Sequence, residues 1–192
     1  MTIQELFIRS NEELKKVIDQ IYDQQWDITM PAGLTSKPAT LHETVNYHAY
    51  DDAWVPDVLR GKTKEEVGDQ YEAILSTDKS NTKSVYARYN ATAIEAVRGY
   101  QELDTIVHLS YGDFSARDYL QHIISFRGFR TYDIAKLIGA SATMADDLVQ
   151  GLWDEFTPVI EGYRQMGIFP PAIEVPEDSN LQTKLLGLVG RE

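Results

Sequence analysis

Two histidines, two arginines and two aspartates interrupt apolar stripes in this chain, and chemistry built into its core would have to use them. Over 41–59, Leu41, Val45, His48, Asp52, Val55 and Leu59 follow one another at steps of four and three residues. Helical periodicity puts all six on one face. His48 and Asp52 therefore fall where burial is expected, and a buried polar group without a partner is costly. His48 is then either hydrogen-bonded to a neighbouring helix or serves as a metal ligand or pocket-lining base.

A second segment repeats the pattern. Tyr119, His122, Phe126, Phe129 and Asp133 share one stripe, and Leu120, Ile123, Ile124, Arg127, Ile134 and Leu137 share the next. Arg127 and Arg130 break these faces. They either reach solvent along their stems, pair with Asp133, or line a cationic pocket for a small anionic ligand. Asp51 and Asp52 are the carboxylates available across from them, so Asp52, Arg127, Arg130 and Asp133 are the candidate ligand-binding set. An Asp52–Arg130 bridge between the two segments is one arrangement they allow.

His48 and His122 are also the candidate metal ligands. Zinc normally takes three or four protein ligands, so two histidines do not make a site. Asp118 lies four residues before His122, and His42 or His48 opposite would complete a two-histidine, one-carboxylate set. No glycine-rich phosphate loop, G-x-S-x-G or H-E-x-x-H pattern is present. Trp26, Trp54 and Trp153 read as packing anchors, and His108 as exposed. No nucleophile or general base stands out, so the catalytic residues remain unknown.

These groups need helices to hold them. Thr2-x-x-Glu5 and Thr40-x-x-Glu43 are capping boxes. They predict a first helix over about Ile3–Gln25 and a second over about Leu41–Arg60, ended by Gly61 and bent at Pro56. Pro31, Gly33 and Pro38 mark 27–39 as a loop. The stretch 62–80 is polar and without period, and a crossover helix is predicted from about Asn81 to Tyr100. A short extended piece at 104–112 leads to Ser115-x-x-Asp118, which caps a helix running to Gly139. Thr143-x-x-Asp146 should open the last long helix, which ends at Gly167. A proline-bearing tail follows, with a helical piece at Leu181–Leu188.

The 192 residues suit one domain, 1–192, and 43% of them are hydrophobic. Thirty acidic against eighteen basic residues give a net charge of −12. That surface disfavours nucleic acid and anionic membranes. There is no cysteine, so disulfides, thiolate metal sites and cysteine nucleophiles are excluded. The N-terminal MTIQELFIRSNEEL lacks the apolar core of a signal peptide, and no apolar run approaches a membrane span. The expectation is a cytoplasmic protein, monomer or homodimer, with a small molecule as partner.

Several segments, in order, resemble one family. Trp26-Asp27 with Met30-Pro31, His48-x5-Trp54 ending at Leu59-Arg60-Gly61, and Tyr132-Asp133-Ile134-Ala135 with Gly139 are three of them. Phe169-Pro170-Pro171, Val175-Pro176, Leu185-Leu186 and Gly190-Arg191 complete the set. Together they are similar to the DinB-like superfamily, in its mycothiol-dependent maleylpyruvate isomerase-like branch. The resemblance implies an all-α, DinB-like four-helix bundle with an extra crossover helix and an irregular C-terminal tail. It also implies a divalent metal, zinc or nickel, held by a histidine at His48 and a Glu/His-x-x-x-His pair on the later helix. Isomerase or thiol S-transferase chemistry with mycothiol would follow from it. The pair falls at Phe126 and Arg130, neither of which binds a cation. The expectation is therefore a degenerate metal site in a protein that binds a small ligand or is structural, with the metal-dependent enzyme as the alternative.

Overall fold

The computed structural model describes residues 1–35 and 37–192; Ser36, inside the loop expected at 27–39, lies outside the described residues. The chain forms two compact units, Thr2–Ala142 and Thr143–Glu192 with Met1.

The larger unit is a helix bundle. Its helices are α1 (Ile3–Ile18), α2 (Leu41–Leu59), the one-turn α3 (Lys64–Val67), α4 (Lys79–Val97) and α5 (Ala116–Ile138). A two-stranded antiparallel hairpin, β1 (Ile106–Leu109) and β2 (Gly112–Ser115), precedes α5. The expected capping boxes form. The Thr2 and Thr40 hydroxyls accept the N–H groups of Glu5 and Glu43, whose carboxylates accept the N–H groups of Thr2 and Thr40 in return. Ser115 accepts from the Asp118 N–H and starts α5, and Gly139 ends it in the left-handed region at φ 72°. Since the Thr40 cap fixes the start of the helix that carries His48, Thr40→Ala should cost about 1 kcal/mol in a chemical-denaturation curve.

The core gathers Leu14, Ile18, Trp26, Leu41, Val45, Ala49, Tyr86 and Ile134, so α1, α2, α4 and α5 all contribute. Around the bundle, α1 packs on α5 and on α4, and α4 packs on α2. The fourth side, between α2 and α5, lacks that close backbone approach; the hairpin packs against both helices there. Long side chains must bridge this side, and the interrupted stripes of the sequence face it.

Some boundaries differ from expectation. The first helix stops at Ile18, and only the short 3₁₀ turn Asp23–Gln25 continues it. Tyr22 is extended there, and its N–H donates to the Gln25 side chain at 2.8 Å. The polar stretch 62–80 contains α3, opened by a Thr63–Glu66 capping box, and the 3₁₀ turn Glu72–Ser76. These elements are too short to show a period.

The smaller unit holds α6 (Asp146–Phe156), α7 (Ile160–Gln165) and α8 (Leu181–Leu188). The single long helix expected from the Thr143 cap to Gly167 is therefore two, because Pro158 has no N–H to donate back to the Asp154 carbonyl and its ring crowds that turn. The N-cap of α6 is Ala145, with no side-chain cap, in place of the expected Thr143. Phe156, Tyr163 and Phe169 form an aromatic core with ring centroids 5.8–6.2 Å apart. The tail crosses α8 at Gly187, where a Cβ would come within 2.8 Å of the Ile173 carbonyl oxygen. Among the described residues no helix is long and apolar enough to cross a membrane.

Candidate functional site

The α2 stripe is buried along its whole length, His48 and Asp52 included. The partner of both is Arg127 of α5, itself fully buried. Its Nε and Nη2 donate to Asp52 Oδ1 at 3.3 and 2.9 Å, and Nη2 also donates to the His48 carbonyl at 3.1 Å. Nη1 donates to His48 Nδ1. Asp51 lies on the outer side, its Oδ2 3.7 Å from Arg127 Nη2. Asn90 of α4 donates to Asp52 Oδ2 at 3.3 Å and to Asn11 Oδ1 of α1 at 3.0 Å, and bonds Tyr86 Oη at 3.2 Å. The ion pair thus ties all four long helices of the bundle together.

This wiring fixes protonation. A guanidinium can only donate, so His48 Nδ1 accepts. Burial, with Arg127 and then Arg130 nearby, pushes the His48 pKa well below the usual imidazole value. The ring is therefore neutral and carries its proton on Nε2. That Nε2–H is buried, and no acceptor reaches it among the described residues. Asp52 Oδ1 and Asp51 share one guanidinium. Burial raises the pKa of both carboxyls against the pull of Arg127, and the Asp51 carboxyl is pushed up to about 7.

Arg130 is also buried, but it does not bridge to Asp52. Its Nη2 donates to the Leu34 carbonyl at 2.6 Å and its Nη1 lies 3.5 Å from Asp133 Oδ2. Arg127, three residues earlier, takes the inter-helix role because its position on α5 faces α2. Phe126 sits on the surface, 47% exposed.

The other candidate sets do not assemble. Among the described residues no group of three His, Asp or Glu side chains is placed to hold a metal ion. His42 turns to the Thr77 carbonyl at 2.7 Å, and Asp118 stays on its own helix cap with Ser115 Oγ at 2.7 Å. His122 meets the hairpin: Tyr111 Oη lies 3.2 Å from its Nδ1, and the Phe114 ring stacks edge-on at 4.9 Å. Local contacts capture each residue, so neither His42 nor His48 joins Asp118 and His122. His108 is exposed and bonds Asp113 at 2.8 Å. Trp26 is a buried anchor, while Trp54 and Trp153 are only partly buried.

No family model and no curated protein matches this sequence. Solved structures do. The crystal structure of mycothiol-dependent maleylpyruvate isomerase superposes with a TM-score of 0.58 at 13% identity, over 82% of this chain and 70% of that one. A histidine-to-alanine variant of the same enzyme gives 0.58 at 12% identity over the same shares. This chain has the fold of mycothiol-dependent maleylpyruvate isomerase.

A metal in the manner implied for the isomerase-like branch does not fit the residues present. Of the three positions implied, His48 faces α5, Phe126 faces outward and Arg130 is a fixed cation. Arg127 is bonded to the same imidazole. The only ring at hand presents a proton on Nε2 where a metal needs a lone pair, and two guanidinium groups repel a divalent ion. The same features suit an oxygen acceptor.

Proposed function

We propose that this chain is a metal-independent, small-molecule-binding relative of the isomerase fold, taking a carboxylate or similar oxygen acceptor of a small organic anion at His48. One observation carries the reading: a buried Nε2–H with no acceptor among the described residues, in the field of Arg127 and Arg130. Buried donors are rarely left unmade, and such exceptions call for an explanation. A ligand oxygen would complete the donor without the proton loss a metal requires. The name of the isomerase specifies a carboxylate substrate, which supports the choice of ligand class. No step of catalysis is assigned, and mycothiol is not needed for this binding.

The test is titration of ¹⁵N-histidine-labelled protein with acetate and with maleate. The His48 Nε2–H resonance should move saturably, and His48→Phe should bind at least tenfold more weakly. Elemental analysis runs alongside. One equivalent of zinc or nickel in the unmodified protein, lost in His48→Ala, would overturn the reading in favour of the metal-dependent thiol transferase or isomerase.

A further inference from the structure

We propose that Trp54 and Tyr71 form a radical relay, in which an electron taken from Trp54 by a small one-electron oxidant is replaced from Tyr71. A line of ring contacts motivates it. Tyr47, Tyr50 and Trp54 follow at steps of three and four on α2, so they share one face. Their successive ring centroids lie 6.0 and 6.1 Å apart. Trp54 then meets Tyr71, just before the turn Glu72–Ser76, at 5.5 Å, and Tyr71 meets Tyr89 of α4 at 6.3 Å. Rings at these spacings are in ordinary edge-to-face contact. An electron moving between neighbours therefore crosses neither solvent nor other side chains.

Packing accounts for the rings, and the hydroxyl groups add the chemistry. Both tyrosines that flank Trp54 donate to a carboxylate: Tyr50 Oη to Glu72 Oε1 at 3.2 Å, and Tyr71 Oη to Asp57 Oδ2 at 2.8 Å. A phenol yields an electron readily only when its proton has an acceptor, and a carboxylate oxygen supplies one. Lys62 and Arg60 hold the other oxygen of Asp57, Oδ1, at 2.8 and 3.3 Å, which fixes Oδ2 on the phenol. Tyr71 has the closer ring and the shorter hydrogen bond, so it donates in preference to Tyr50. Beyond it, the Arg88 guanidinium lies 5.2 Å from the centre of the Tyr89 ring. Positive charge developing on that ring would be repelled, the reverse of the usual attraction, so the relay ends at Tyr71. No cysteine competes for the oxidising equivalent. The step balances. An oxidant of the azide-radical class removes one electron from the indole and becomes its anion. Trp54 Nε1 is buried, so the oxidised ring keeps its proton. Tyr71 returns one electron to the indole and passes its phenolic proton to Asp57 Oδ2. The products are intact Trp54, a neutral Tyr71 phenoxyl radical and a protonated Asp57. The relay uses no residue of the His48 site.

The experiment is pulse radiolysis of the full chain with the azide radical. Trp26 is buried and Trp153 partly exposed, so Trp153→Phe is the background that leaves Trp54 as the accessible indole. The tryptophanyl absorption should decay as the tyrosyl absorption rises, at a rate independent of protein concentration and slower in heavy water. Tyr71→Phe should slow the transfer severalfold and Tyr50→Phe less. The double variant, which keeps both rings, should lose the fast transfer, as should Trp54→Phe. A tryptophanyl signal that persists in the background protein, a rate proportional to concentration, or unchanged transfer in the double variant or in Trp54→Phe would each overturn the relay. A larger effect of Tyr50→Phe than of Tyr71→Phe would overturn the choice of Tyr71, and equal rates in light and heavy water the proton step to Asp57. The concentration and heavy-water tests need only the background protein, so they decide the matter if a ring variant fails to fold.

Discussion

Arg127→Met should cost about 3–5 kcal/mol of stability, the scale seen when one member of a buried ion pair is removed. Much of that loss comes from what stays behind. Without the guanidinium, Asp52 is a fully buried carboxylate held, among the described residues, by Asn90 alone, and Asp51 loses the cation beside it. His48 Nδ1 and the His48 carbonyl also lose their donor. Removing both charges is a different matter. Arg127→Met with Asp52→Leu should recover most of the loss, because well-packed apolar replacements of buried ion pairs are often neutral or stabilising. A double-mutant cycle in urea, using Asp52→Asn and Arg127→Met, should therefore show coupling above about 1 kcal/mol. The cycle of Asp52→Asn with Arg130→Gln should be close to additive, since Arg130 bonds elsewhere. Strong coupling in the second cycle and none in the first would mean that the wrong arginine has been assigned to Asp52.

The assignment of arginines shows where the sequence was legible and where it was not. Periodicity located the buried positions of His48, Asp52, Arg127 and Arg130, each at a helical step from residues that must be buried, but it misplaced Phe126, which shares the stripe of Tyr119 and Phe129 and yet lies on the surface. It also placed α2 and α5 opposite one another through the charges they had to neutralise. It did not choose between Arg127 and Arg130, which lie one turn apart. That choice depends on how α5 is rotated relative to α2, and spacing within one helix does not report it. The rest of the network was available to the same reasoning. Phe7, Asn11, Leu14 and Ile18 repeat at steps of four, three and four on α1, as do Tyr86, Asn90, Ala93 and Val97 on α4, and all eight are buried. Asn11 and Asn90 interrupt those stripes as His48 and Asp52 interrupt theirs. Asparagine is less conspicuous than a charge and cheaper to bury, yet its amide also needs a partner in the core. Tyr111 and its contact with His122 could not be read at all, because a hairpin turn brings it there across the fold. The failures at helix ends have local causes. A single proline divides α6 from α7, and a side chain, Gln25, satisfies the backbone at Tyr22.

Asp51→Asn should stabilise the protein above pH 7 by on the order of 2 kcal/mol and have almost no effect near pH 4. The sign follows from proton binding. Below about pH 4 the carboxyl is protonated both folded and unfolded, so it contributes nothing. Between pH 4 and 7 the unfolded chain has released its proton while the folded chain, with its carboxyl titrating at about 7, retains it. The native state then binds more protons than the unfolded state, so stability falls as pH rises across this window and levels off above it. Each pK unit is worth about 1.4 kcal/mol, and the full shift is discounted because Asp51 is 24% exposed and water screens its charge. Asparagine keeps the shape and removes the titration, so the variant should show a flatter profile and a higher melting temperature at pH 8. Thermal melts of both proteins from pH 4 to 8 give the answer. A variant less stable than the parent at pH 8 would mean that Arg127 compensates Asp51 fully, and the charge imbalance at the seam would disappear with it.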